Sequence, residues 1–199
     1  MNAIKKDIAY ICPLVISKAF LDTSVNKREW GIFIGNLSSA KNPFFLLEAC
    51  LLLQKKNIKF HINIIWEDRI WFYHQIKKYH LEDYLSILWF IPHNSIKEYL
   101  RNAEILINTS LGEWQCIAVY EWALSGCVLC VPNILSFPSV FWENALYHNS
   151  VEELSDNVIL YLKDKEIFEQ KIIANQNMIL SEYNYTTIYW KLKQLFLWV

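Results

Sequence analysis

The chain has 199 residues, 54% of them hydrophobic, and its 19 basic and 20 acidic side chains leave a formal net charge of -1. That length buries one sizeable core and leaves no room for a second full domain. Near-neutral charge with no run of consecutive lysines and arginines argues against a nucleic-acid partner, because nothing would track a phosphate backbone.

At the N-terminus, Asp7 and Pro13 interrupt the apolar stretch that ends at Ile16, and no small-residue cleavage site follows. No signal peptide is expected. No run reaches the roughly twenty apolar residues of a spanning helix. Five cysteines are an odd count without the spacing of a disulfide framework, so a reducing cytoplasm is the expected setting. Residues 1–29 read as a lead-in, either docking on a sheet edge or left from a connection to something else; residues 30–199 read as one domain.

From Trp30 onward, strand-length apolar runs alternate with amphipathic helical segments, the pattern of a parallel sheet flanked by helices. Gly31 to Leu37 is the first predicted strand. Pro43 opens a helix through Leu53 that frays at Lys55 to Asn57. Phe60 to Trp66 is the second strand, Asp68 to His80 a helix, and Leu85 to Ile91 the third strand. Ser95 and Glu98 have capping-box spacing, which predicts a short helix from Ile96 to Asn102. Glu104 to Asn108 is the fourth strand. Thr109 to Gly112 is a loop, and Trp114 to Ser125 a helix stopped by Gly126.

Cys127 to Val131 is the fifth strand, which puts the sulfurs of its C-x-x-C on opposite faces and argues against a shared metal or redox site. Ala145 to His148 is a short sixth strand. Ser150 and Glu153 form a second capping box that opens a helix to Leu162. Helices near Lys165 to Glu182 and Thr186 to Leu197 complete a Rossmann-like α/β fold.

Only four glycines occur. Gly35 and Gly112 fall in strand-to-helix loops, where open parallel sheets form their ligand crevice. Glu113 and Glu121 stand eight apart, and on one helix they would be separated by roughly 12 Å along the axis and about 80° around it. Free amides near Trp114 to Ile117 suit a diphosphate between them. Glu121 would then hold a ribose and Glu113 a second polyol, which describes a nucleotide sugar.

The segment from Ser110 to Gly126 resembles the Glu-x7-Glu motif of GT-B glycosyltransferases of the group 1 (family 4) type, with Ser110, Glu113, Glu121, Ala123 and Gly126 in register. The stretch from Gly31 to Asn42 is similar to that family's phosphate loop, and Lys41 matches its lysine. The resemblance runs from about Gly31 to Phe196 and includes Tyr183 and Tyr185. It implies one half of a GT-B fold, the donor-binding domain of a retaining, nucleotide-sugar-dependent glycosyltransferase. Glu113 and Lys41 would carry the chemistry, the lysine stabilising the leaving diphosphate. Gly35, Asn36, Lys41, Gly112, Glu113, Gln115, Cys116, Ile117 and Glu121 would line the donor site, with no metal ion and no further cofactor.

Departures from the family pattern are Asn36 for an arginine, Asn42 and Cys116 for glycines, and Trp66 and Phe90 where glycines commonly end strands. They remove one cation and narrow the crevice. The family's acceptor-binding domain has no counterpart in the lead-in, so activity is expected to need a separate partner chain. The alternative is a non-catalytic or degenerate nucleotide-binding module, or a truncated remnant of such an enzyme. The five histidines are scattered without metal-ligand spacing. The tail from Tyr189 to Val199 mixes lysines with aromatics and leucines, a pattern compatible with peripheral membrane contact.

Overall fold

A computed structural model describes residues 16–21, 28–35, 38–65, 70–113, 116–134 and 136–197. Six strands form one sheet: β1 (Trp30–Ile34), β2 (Ile62–Ile65), β3 (Leu85–Ile87), β4 (Ala103–Ile107), β5 (Val128–Pro132) and β6 (Leu146–His148). Their order is β3-β2-β1-β4-β5-β6 and every pairing is parallel. β1 and β4 are neighbours in space but not in sequence. The chain reverses its direction of winding between them, and the loops leaving their carboxyl ends diverge to open a crevice.

Eight α-helices are described: α1 (Pro43–Lys55), α2 (Ile70–Lys78), α3 (His93–Asn102), α4 (Ile117–Leu124), α5 (Pro138–Phe141), α6 (Val151–Lys163), α7 (Ile167–Glu182) and α8 (Tyr185–Leu197). Both faces of the sheet are covered, which is why β4 and β5 read as unbroken apolar runs and are buried at every position. Phe33, Ile105, Val128 and Cys130 face a core shared with α1, α2 and α6. Ile32, Leu106, Leu129 and Val131 face the other core, shared with α3, α4 and Ile179 of α7. Cys127 joins this second core and Cys130 the first, as alternation along a strand requires.

A side chain on Gly31 would place its Cβ 2.8 Å from Phe60 Cε1 and 3.0 Å from Ile62 Cγ1. Gly31 is therefore a packing residue of β1, sitting where the register of β1 against β4 shifts, rather than a part of the phosphate loop.

Several boundaries differ from expectation. The regular strands β1 and β3 end at Ile34 and Ile87. α3 starts at His93, immediately after Pro92, and the expected capping box at Ser95 does not form. The Ser95 amide donates instead to the Pro92 carbonyl at 2.8 Å, so the turn is already closed before Ser95 is reached. The second capping box does cap α6: the Glu153 amide donates to Ser150 Oγ at 3.2 Å and Glu153 Oε2 accepts from the Asn149 amide at 2.6 Å. Gly126 takes φ 79°, as a helix-stopping glycine should.

The described part of the lead-in adds no strand to the sheet. It lies on the helical layer. The Ile16 amide donates to Tyr183 O at 3.0 Å, Phe20 is buried, and Arg28 donates to the carbonyls of Leu100, Ala103 and Ser125. At the other end, Ile188 of α8 is buried while Tyr185, Tyr189 and Trp190 are exposed. Among the described residues no helix is long and apolar enough to cross a membrane.

Candidate functional site

Two loops build the centre of the crevice. The β1–α1 loop passes Gly35 and a short 3-10 turn, Ser39–Lys41, before Asn42 enters the left-handed region at φ 47° and Pro43 starts α1. Asparagine is the residue after glycine best able to adopt that conformation. Replacing the family's glycine by Asn42 therefore leaves the backbone path intact. The β4–α4 loop is stapled to it. Thr109 Oγ1 reaches the carbonyls of Lys41 at 2.7 Å and Asn42 at 3.0 Å, and the Leu111 amide donates to Ala40 O at 2.9 Å.

The staple brings together two side chains 72 residues apart in sequence: Lys41 Nζ donates to Glu113 Oε1. Ser110 Oγ donates to the same oxygen at 2.8 Å, and the Ser110 amide is held by Asn108 Oδ1 at 2.8 Å. Below them, buried His148 donates from Nε2 to the Asn108 carbonyl at 2.9 Å. Burial holds this imidazole below its ordinary pKa, against the raising effect of that bond. A cavity of about 190 Å³ adjoins, lined by Asn42, Phe45, Thr109, Asn133, His148 and Asn149 among others.

α4 begins at Ile117, three residues later than expected, so Glu113 lies ahead of the helix and the spacing of two glutamates along one axis does not apply. The helix N-cap is Cys116. Burial pushes its thiol up to about 11; Glu113 acts in the same direction, while the Val119 amide, Lys41 and the Ala118 amide pull it down. Cys116 thus sits between the ion pair and the first amides of α4. Ile117 is exposed at the helix start.

Glu121 stands apart from the pair, one turn into α4. Its side chain is only 14% exposed and its partner is His93 Nε2, 3.4 Å from Oε2. Burial raises the Glu121 pKa and His93 opposes the rise. Gly35 needs neither a positive φ nor extra space, since an added Cβ would meet the Lys41 stem at an ordinary 3.7 Å; Gly112 has nothing within 4 Å. The left-handed residue after β3 is Trp89, at φ 49°, rather than Phe90. Asn36, Gln115 and Trp66 lie outside the described residues.

Sequence reasoning passed over four residues that shape this site. Thr109, His148 and His93 carry no spacing signal, because their partners lie 67, 40 and 28 residues away. Phe20, whose ring meets that of His93 at 5.4 Å, lies in the lead-in.

Known proteins resemble the chain in sequence and in fold. The family model for glycosyl transferases group 1 matches residues 22–178. A tRNA-queuosine alpha-mannosyltransferase of Drosophila melanogaster is 29% identical over 116 residues, 55% of this chain and 30% of that protein. The C-terminal domain of the group 1 family glycosyl transferase LpcC from Francisella tularensis superposes with a TM-score of 0.73 at 18% identity, over 86% of this chain and 99% of that one. A mutant of S. aureus TarM, in complex with fondaparinux, alpha-GlcNAc-glycerol and UDP, superposes at 0.75 with 16% identity, over 89% of this chain and 37% of that one. The alignments thus span about a third of the length of the fly enzyme and of TarM.

Proposed function

The chain belongs to the glycosyl transferases group 1 family, and we propose that it is the donor-binding half of a retaining glycosyltransferase that uses a nucleotide-activated hexose. The observation that carries this reading is the joining of Lys41 and Glu113 at the point where the sheet reverses its winding, with Glu121 one turn into the adjoining helix. A diphosphate in the crevice takes Lys41 from Glu113, and the freed carboxylate accepts hydroxyls of the sugar. Glu121 accepts from the ribose. When the bond between the anomeric carbon and the diphosphate breaks, Lys41 stabilises the departing oxyanion.

In this reading the lysine and the α4 amides carry the phosphate charge and no metal ion takes part. A separate chain supplies the acceptor site, transfer occurs on the cytoplasmic side, and the exposed aromatics of α8 allow peripheral contact with a membrane. The formal net charge of -1 favours a small-molecule donor over a nucleic acid on this half. The UDP held by the structurally similar TarM supports a nucleotide in the corresponding crevice.

Cys116 favours a second reading, a non-catalytic or degenerate module. It stands half-buried at the N-cap of α4 where the family pattern has a glycine, and its carbonyl already accepts from the Val119 amide at 2.9 Å. Thermal unfolding with UDP, GDP, ADP, CDP and dTDP separates the two. Ligand at about a hundredfold over its Kd stabilises a single-site protein by roughly 2.7 kcal/mol, several degrees for a domain of this size. A selective shift, lost in Glu121→Ala, is the expected result. No shift with any nucleotide would establish the second reading.

A further inference from the structure

We infer that Phe20 and His93 are positioning residues that hold Glu121 for the ribose of a nucleoside diphosphate, which makes the segment ahead of the first strand part of the donor site. The inference rests on the donor-binding reading of Glu121. It extends the site beyond the family match, which begins at residue 22, after Phe20.

The contacts close a ring. Glu121 sits on α4, and the last turn of that helix ends at Ser125, whose single hydroxyl hydrogen is shared between Phe20 O at 3.0 Å and Glu121 O at 3.1 Å. Phe20, 8% exposed, presents its ring to His93 with centroids 5.4 Å apart and planes at 65°. Such an edge-on arrangement restrains ring orientation. His93 opens α3 and reaches Glu121 Oε2 through Nε2 at 3.4 Å.

An ionised carboxylate only accepts, so Nε2 is the donor. With Oε2 so engaged, Oε1 has no protein partner among the described residues. Glutamate has several rotatable bonds, and a buried carboxylate that must meet vicinal hydroxyls gains from being fixed beforehand. The His93 side chain, 65% exposed, lacks dense packing of its own. Among the described residues, the ring contact made by His93 is the one with Phe20.

The test is equilibrium binding, by calorimetry or fluorescence, of UDP, GDP, ADP, CDP and dTDP and separately of inorganic pyrophosphate, which has no ribose. Wild type, Glu121→Ala, His93→Ala, His93→Gln and Phe20→Leu are compared, with melting temperatures recorded without ligand. For the nucleotide that binds wild type, His93→Ala should weaken affinity about five- to tenfold, the scale of one partly exposed hydrogen bond to a charged group. His93→Gln, whose amide keeps an N–H donor, should return to within about threefold of wild type, and Phe20→Leu should fall about two- to fourfold. Pyrophosphate binding and the ligand-free melting temperature of His93→Ala should stay unchanged.

Weakened nucleotide binding in Glu121→Ala with none in His93→Ala would overturn this inference and leave the donor site standing. So would equal loss of pyrophosphate and nucleotide, or a glutamine variant as weak as alanine. Wild type that binds no nucleotide, or Glu121→Ala that binds as wild type does, would overturn the donor-site reading and this inference with it.

Discussion

Glu113 and Glu121 are the same residue type, belong to one motif, and have side chains equally covered at 14% exposure. Their surroundings differ. Glu113 lies on a loop and receives a full cation and a hydroxyl, from Lys41 and Ser110. Glu121 lies on a helix with one exposed imidazole at 3.4 Å, and burial raises its pKa. The contrast separates two ways of holding a covered carboxylate. Glu113 meets a cation and a hydroxyl of the protein, so on the proposed donor-site reading a ligand must take its partner away. Glu121 meets one imidazole, so on that same reading a ligand would supply what is missing.

Removing the cation should have the largest effect. Lys41→Ala is expected to weaken nucleoside diphosphate binding by about 30- to 100-fold, the scale of one charge-assisted contact to phosphate. It should also lower ligand-free stability by about 1 kcal/mol, because Glu113 then lies largely covered without its cation. Calorimetric titration and urea unfolding measure the two parts. An unchanged affinity would mean that the ion pair does not open for ligand.

Glu121→Ala is expected to weaken the nucleotide about tenfold, as loss of one or two hydrogen bonds to a charged acceptor does. It should leave ligand-free melting unchanged or slightly raised, since a carboxylate that burial disfavours has been removed. A drop in melting temperature without ligand would place Glu121 in the structural framework.

Thr109→Val keeps shape and deletes the hydroxyl that joins the two loops. A loss of about 1–2 kcal/mol in unfolding free energy is expected for this buried donor, together with weaker nucleotide binding, because Lys41 and Glu113 are no longer held in register. Loss of stability with undiminished binding would show that the ion pair forms without the staple.

The smallest effect is a pH dependence. The Glu121 pKa in the folded chain is raised above its ordinary 4.5, so the folded state binds more protons than the unfolded state in the window above 4.5. Stability must then fall as pH rises through that window. Glu121→Gln should flatten this part of the profile without altering it elsewhere. If the glutamine at 121 leaves the slope as in wild type, another group is responsible.

Hydrophobic periodicity located all six strands and the long helices, because strands buried on both faces must be apolar throughout and helices on a sheet must be amphipathic. It missed where two helices begin: the Ser95 amide closes on Pro92, so α3 starts ahead of the Ser95 box, and α4 waits until Ile117. The Glu-x7-Glu spacing and the lysine before Pro43 marked Glu113, Glu121 and Lys41. It misplaced Glu113 on a helix.

By itself, then, the sequence determined the class of fold and the family and singled out the acids and lysine of the proposed site, since these depend on residue type at short spacing. Tertiary structure alone decided that Lys41 meets Glu113, that Thr109 locks their loops, that His93 meets Glu121 and that Ser125 meets Phe20. Those partners are separated by 28 to 105 residues, and the pairing of β1 with β4 and the packing of the lead-in on α4 bring them together. A contact of that kind leaves no periodic trace in a single chain. Only folding selects it.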